Sequence, residues 1–308
     1  MAEEIVVIGY GPVGKATVAR LKGRAVRVAQ RNRPQDLPEG VAFTACDVLD
    51  EASVHAALKG ASQIVLSIGF AYERAVWREA WPKAMANVLK AAEHEKARIV
   101  FVDNLYMYGP QTVPLREDMS LADYGAKPAV RAAITRQWME AHESGRVKVT
   151  ALRAPDFYGP GVKNSHLGDL AFGHMAKGKS PMLIVDPDQQ HAFAYVPDIA
   201  RGVVSLLDAP DDTFGQAWHI PSAPTQTTRE ILALGARLLD QPLKITAIPM
   251  VLLPLMGLFM PLMKEMAEMR FQWDRPYDVD ASKFAKRFWS DATPFEIGVR
   301  ETLRSFAK

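Results

Sequence analysis

The chain has 308 residues, 48% hydrophobic and 23% charged, the composition of a folded protein with room for one large domain or a large one carrying a smaller lobe. Lys and Arg number 37 against 35 Asp and Glu, a formal charge of +2, which gives no general electrostatic case for nucleic acid or an acidic membrane. A single cysteine, Cys46, excludes an intrachain disulfide and fits a reducing compartment, and the N-terminus runs into a strand rather than a charged leader, so a cytoplasmic protein is expected.

In chain order, EIVVI at Glu4–Ile8 reads as a short strand, residues 11–21 as a turn opening into a helix, and Ala25–Gln30 as the next strand. A third strand is expected at 41–45, a helix at Glu51–Leu58, a strand at 63–68, and a long helix over 73–94 that Pro82 divides or kinks. Strand Arg98–Asp103 leads into the aromatic turn YMYGP at 106–110, followed by a helix over 127–144 and a strand over 147–153. Strands alternating with helices at these separations predict an α/β fold: a Rossmann-type doubly wound parallel sheet covered on both faces. Beyond Asp156 the pattern is less regular, with later helices at 228–239 and Phe295–Phe306. The expected division is a dinucleotide-binding core over 1–156 and a smaller C-terminal substrate lobe over 157–308, with 193–220 returning to the core.

Residues 245–263 carry no charge and approach bilayer-spanning length, but Pro249, Pro254 and Pro261 interrupt them. The expectation is a Met-rich buried or groove-lining segment rather than an integral membrane helix. A substrate entrance, a homodimer contact and a monotopic membrane contact stay open as its uses.

Gly9, Gly11 and Gly14 fall in GxGxxG spacing between the first strand and first helix. Gly9 permits the turn, Gly11 lets a pyrophosphate approach the backbone, and Gly14 permits close helix packing. Pro12 and Val13 complete the phosphate-facing first turn, where the missing Pro12 N–H breaks no intrahelical bond. At the end of the second strand, Gln30 is neutral, while Arg31 and Arg33 offer guanidinium forks to an additional phosphate, which favours NADP over NAD. Asp47 accepts a hydrogen bond from adenine or caps the next segment.

GYGPVG at 9–14, CDVLD at 46–50, VDNLYMYGP at 102–110 and LRAPDFYGPGV at 152–162 together resemble the extended or atypical short-chain dehydrogenase/reductase superfamily, particularly its NAD-dependent epimerase/dehydratase-like members. The resemblance implies a nicotinamide dinucleotide across the C-terminal edge of the strands, a Ser or Thr that polarises substrate, and a Tyr with a Lys four residues later. This chain departs from that set. Asn104 lies at the Ser/Thr position and no Tyr-x-x-x-Lys occurs. Either Tyr124 pairs with Lys127 at a spacing one residue short, or Lys127 takes the Tyr position and Arg131 the Lys position. The second alignment is preferred because residues four apart share a helix face.

On this reading Asn104 orients a carbonyl, Arg131 holds ribose hydroxyls, and Lys127 is either the proton donor or a cationic anchor. Tyr124, Tyr106, Tyr108 and Tyr158 are further donors, while Asp156 and Tyr158 shape the substrate mouth or serve as a loop cap and a packed aromatic. His166 and His174 lack a ligand pattern, so hydrogen bonding rather than metal is expected of them. The leading expectation is an NADP-dependent reductase or dehydrogenase of a small, apolar organic carbonyl or alcohol. A nucleotide-sugar epimerase or dehydratase, and a non-catalytic dinucleotide sensor or interaction protein, are the alternatives.

Overall fold

The computed structural model describes residues 4–248 and 250–307. Its strands are β1 (Glu4–Ile8), β2 (Ala25–Gln30), β3 (Ala42–Ala45), β4 (Gln63–Leu66), β5 (Arg98–Asp103), β6 (Val149–Arg153), β7 (Asp156–Tyr158), β8 (Met182–Leu183), β9 (Gln190–His191), β10 (Phe193–Tyr195), β11 (Ala217–His219), β12 (Gln226–Thr227) and β13 (Thr246–Ala247). The helices are α1 (Pro12–Arg20), α2 (Glu51–Leu58), α3 (Arg74–Glu95), α4 (Lys127–Glu143), α5 (His174–Ala176), α6 (Val196–Leu207), α7 (Thr228–Leu238), α8 (Leu253–Met256), α9 (Pro261–Glu268), α10 (Ser282–Arg287) and α11 (Phe295–Phe306).

Two compact units emerge. The first comprises residues 1–107, 121–153 and 199–218; the second comprises 108–120, 154–198 and 219–308. The first is organised by a seven-stranded sheet in the order β11-β6-β5-β4-β1-β2-β3. From β3 through β6 the pairing is parallel, with Ile8 opposite Ala29 on one side and Leu66 on the other. This is the Rossmann order, and its reversal between β1 and β4 opens a crevice at the strands' carboxyl ends. Burial explains the strand sequences: β4 and β6 are buried at every residue and mostly apolar, as strands covered on both faces are, with Gln63, Thr150 and Arg153 the polar residues among them.

Pro82 does not divide α3, which runs unbroken for 22 residues. The loss of one backbone donor is tolerated in a helix whose buried face carries Trp77, Trp81, Met85 and Val88.

The second unit is built on short two-stranded pairs, β7 with β10, β9 with β12 and β8 with β13. Helix α7 opens on a capping box: Thr227 Oγ1 accepts from Glu230 N at 3.2 Å and Glu230 Oε2 accepts from Thr227 N at 2.8 Å. Phe172, Phe193, Ile231, Phe295 and Val299 fill the core. Gly298 brings α11 against Tyr158, since a Cβ there would lie 2.4 Å from the phenol oxygen.

Of the expected buried or groove-lining Met-rich segment over 245–263, full burial is corrected. The segment folds into short helices that bury Leu253 and Met263 but leave Leu258 74% and Phe259 84% exposed. Of the three prolines expected to interrupt it, Pro249 lies outside the described residues, Pro254 falls within α8 and Pro261 opens α9. No helix among the described residues is long and apolar enough to cross a membrane.

Candidate functional site

The three glycines do different work. Gly9 takes φ +93° and approaches β4 so closely that a Cβ would lie 2.3 Å from the Ser67 carbonyl oxygen. A Cβ on Gly14 would lie 2.0 Å from the Gly9 oxygen. At Gly11 nothing stands within 4 Å. That space adjoins the first turn of α1, where Gly11 is the N-cap without side-chain capping and Pro12 follows. The first turn of a helix at a sheet's switch point has N–H groups without intrahelical partners, which suit an anionic group.

At the end of β2, Gln30 is held by its own surroundings: Oε1 accepts from Tyr10 N at 3.0 Å and Nε2 donates to the Asn32 carbonyl at 2.8 Å. Arg31 and Arg33 are exposed, and the Arg33 guanidinium lies 5.8 Å from the Phe43 ring centre. The loop after β2 also returns a carboxylate to the glycine turn. Asp36 pairs with Lys15 of α1, and its carbonyl accepts from the Tyr10 hydroxyl. Asp47 makes a local turn, accepting from Leu49 N at 3.0 Å, while Asp50 caps α2 through Ser53 N.

The end of β5 and the start of α4 bring the remaining core candidates into one region. Asn104 Oδ1 accepts from Tyr106 N at 3.1 Å, and its Nδ2 has no protein partner among the described residues. Lys127, the first residue of α4, is 0% exposed, with Nζ 4.5 Å from the Tyr72 ring centre. A cation at a helix N-terminus opposes the macrodipole by roughly 0.3–1 kcal/mol. Burial adds to that cost, and the negative face of Tyr72 offsets part of it.

One turn on, Arg131 donates from Nη1 to Asp103 Oδ1 at 2.9 Å, while Arg153 Nε lies 3.4 Å from Oδ2 of the same carboxylate. The Arg131 guanidinium stacks 3.8 Å from the Trp81 ring centre, its Nε is buried without a partner, and burial pulls its pKa below the usual arginine value against the opposing pull of Asp103. Lys127 and Arg131 thus share the face of α4 turned toward the end of β5. The sequence reading did not find Asp103, Arg153 or the ring of Tyr72, Trp77 and Trp81; the four-residue spacing of the two tryptophans was the available sign.

The tyrosines are dispersed. Tyr106 is half-buried and stacks on Trp77, and Tyr124 is 40% exposed in the loop before α4. In the second unit, the Tyr108 hydroxyl lies 2.9 Å from His219 Nε2. Tyr158 is 1% exposed in that unit's core, its hydroxyl has no partner among the described residues, and burial raises its pKa. That is a packed aromatic rather than a mouth residue.

Asp156 keeps its carboxylate 24% exposed and sits 3.0 Å from His191 Nε2. His191 Nδ1 faces the Gln272 carbonyl at 3.0 Å and its ring stacks 3.7 Å from Trp273. Both nitrogens of the imidazole thus face an oxygen. His174 Nδ1 faces the Ser180 carbonyl at 3.0 Å.

Neighbouring His166 is pushed down to about 3, chiefly by burial and then by His191, against an opposing Asp156. Its folded value lies below that of an unfolded imidazole, so this stability is complete above pH 6.5 and is lost as pH falls toward 3, by up to about 1.4 kcal/mol per unit. Urea unfolding of wild type at successive pH values across that range will show the slope, and His166→Gln will remove its share of it. Equal slopes in the two proteins would refute the assignment.

A model of the NAD dependent epimerase/dehydratase family matches residues 5–220. No curated protein sequence matches the chain. Among solved structures, UDP-glucose 4-epimerase of Thermus thermophilus in complex with NAD is 20% identical, with 98% of each chain covered and a TM-score of 0.79. UDP-glucuronic acid 4-epimerase of Bacillus cereus, with UDP-glucuronic acid and NAD, is 15% identical over 98% of each chain, with a TM-score of 0.80. A dTDP-glucose 4,6-dehydratase of Streptomyces venezuelae with NAD is 18% identical, covering 99% of this chain and 97% of that one, with a TM-score of 0.81.

The expectation of NADP is corrected by these relatives, whose complexes contain NAD. The structure gives the physical reason the charge argument misleads. Arg33 packs over Phe43, and the same loop also carries Asp36, paired with Lys15 beside the glycine turn, so the local charge is not simply that of two arginines.

Proposed function

The chain belongs to the NAD dependent epimerase/dehydratase family, and from that premise we propose that it is an NAD-dependent enzyme of epimerase or dehydratase type acting on a nucleotide-linked sugar. The carrying observation is the open space at Gly11, set at the β1–β4 switch point of a chain that shares its fold end to end with nucleotide-sugar enzymes. A reductase of a small apolar carbonyl, put first on sequence alone, has less support: the segment thought to line an apolar pocket exposes Leu258 and Phe259 instead.

The residues divide the work as follows. Gly11, Pro12, Val13 and Gly14 would hold the pyrophosphate, and Gln30 at the end of β2 would donate to the adenosine ribose. When bound, NAD supplies reversible hydride acceptance from a sugar carbon. Asn104 Nδ2 orients the sugar oxygen. Lys127 Nζ donates a hydrogen bond to the reacting hydroxyl and relays its proton. Arg131 is a positioning residue, anchored by Asp103 so that the α4 face bearing Lys127 keeps its place.

Gly11→Val tests the cofactor site because the new side chain meets no protein atom at its Cβ. Calorimetric titration is expected to show NAD binding weakened by about 100-fold or more, with the thermal midpoint unchanged. Wild-type protein that does not bind NAD overturns the proposal. Conversion of a UDP- or dTDP-sugar panel, followed by NMR, identifies the reaction.

A further inference from the structure

We propose that the paired helices α8 and α9 form a docking element for an anionic lipid surface, with the apolar tip between them entering the headgroup region. This inference lies outside the proposed reaction. Residues 245–263 contain no charged side chain. Leu255 is 61%, Leu258 74%, Phe259 84%, Met260 49% and Leu262 51% exposed, whereas Leu253 and Met263 turn inward at 2% and 3%. The hydrophobic effect opposes such exposure, and an apolar cluster of this kind marks a site that is covered in use.

Shape decides between lipid and protein as the cover. A phenylalanine that keeps 84% of its surface has neighbours on almost no side, so the tip is convex. A stable protein interface needs on the order of 800 Å² per partner of complementary, closely packed surface. A knob of a few aliphatic side chains supplies no such platform. Fluid acyl chains conform to it without a preformed pocket.

Charge points the same way. Lys244 stands just before the uncharged run and Lys264 just after it, and both are exposed. Lys177 and Lys179, also exposed, lead into β8, which pairs with β13 two residues beyond Lys244. Along residues 244–270 the acids are Glu265 and Glu268, the former only 8% exposed, and Arg270 is tied to Asp274 at 3.4 Å. Cations at the base of an apolar tip sit at phosphate level while the tip enters the acyl boundary. The short α8 and α9 fit an element that lies on a membrane rather than crossing it.

Vesicle flotation of the full chain will test this, using phosphatidylcholine alone and phosphatidylcholine mixed with phosphatidylglycerol. The protein is expected to float with the mixed vesicles and at least about tenfold less with the neutral ones. Leu258→Asp with Phe259→Asp should abolish flotation while leaving the thermal midpoint and NAD titration at wild-type values, because both side chains are exposed. Lys244→Glu should weaken flotation selectively on the mixed vesicles. Absence of flotation with either vesicle overturns the inference, as does flotation that survives the double substitution. A wild-type dimer in light scattering that becomes monomeric on double substitution, with no vesicle binding, assigns the tip to a second copy of the chain instead.

Discussion

Lys127→Met is expected to lower kcat by about 10²–10⁴-fold on the sugar nucleotide that the wild-type protein converts, while leaving the NAD dissociation constant within about threefold. Lys127 is fully buried at the first position of α4, where both desolvation and the helix dipole oppose a cation. Methionine matches its length and packs well against aromatics, so the fold is expected to hold. A lysine fully buried in the first turn of α4, one turn from Arg131, is a candidate for chemistry. The measurement is steady-state kinetics with parallel NAD titration. Unchanged kcat would remove Lys127 from the proton path and return that role to water or a tyrosine. A loss confined to NAD binding would make it a cationic anchor.

Much of the first unit was legible because its signals are local. Buried parallel strands are apolar runs, a GxGxxG between strand and helix has few uses, and Lys127 and Arg131 four residues apart had to share a face of α4. What stayed hidden is brought together by folding. Asp103 meets Arg131 from 28 residues away and Arg153 from 50, and no periodicity encodes that pairing. Asp36 returns to the glycine turn only because its loop doubles back, so counting charges at the end of β2 saw Arg31 and Arg33 and pointed to the wrong dinucleotide. Residues 245–263 failed for a different reason. An uncharged run records that side chains are apolar, not which way they face, and the turn between α8 and α9 faces Leu258 and Phe259 outward.

The pairing of Asp103 with two arginines makes the second large prediction. Asp103 has no exposed side-chain surface, and the side chains of Arg131 and Arg153 are 6% and 2% exposed. Replacing Asp103 with Ala leaves two buried cations facing each other without their shared anion. Loss of one partner from a buried pair typically destabilises by about 3–5 kcal/mol, well above the roughly 0–1 kcal/mol of exposed ion pairs in general. The stack of Arg131 on Trp81 recovers little of this, because a single cation–π contact is worth about 2 kcal/mol when desolvated and is already present in wild type. Urea unfolding should therefore show Asp103→Ala shifted by that amount, whereas Lys127→Met stays near wild type. Asp103→Leu combined with Arg131→Met and Arg153→Met should regain most of the lost stability, since apolar side chains of similar volume need no counter-charge. If the triad is only a fold device, the triple variant will also turn over; if Arg131 positions Lys127, it will refold, bind NAD and remain slow.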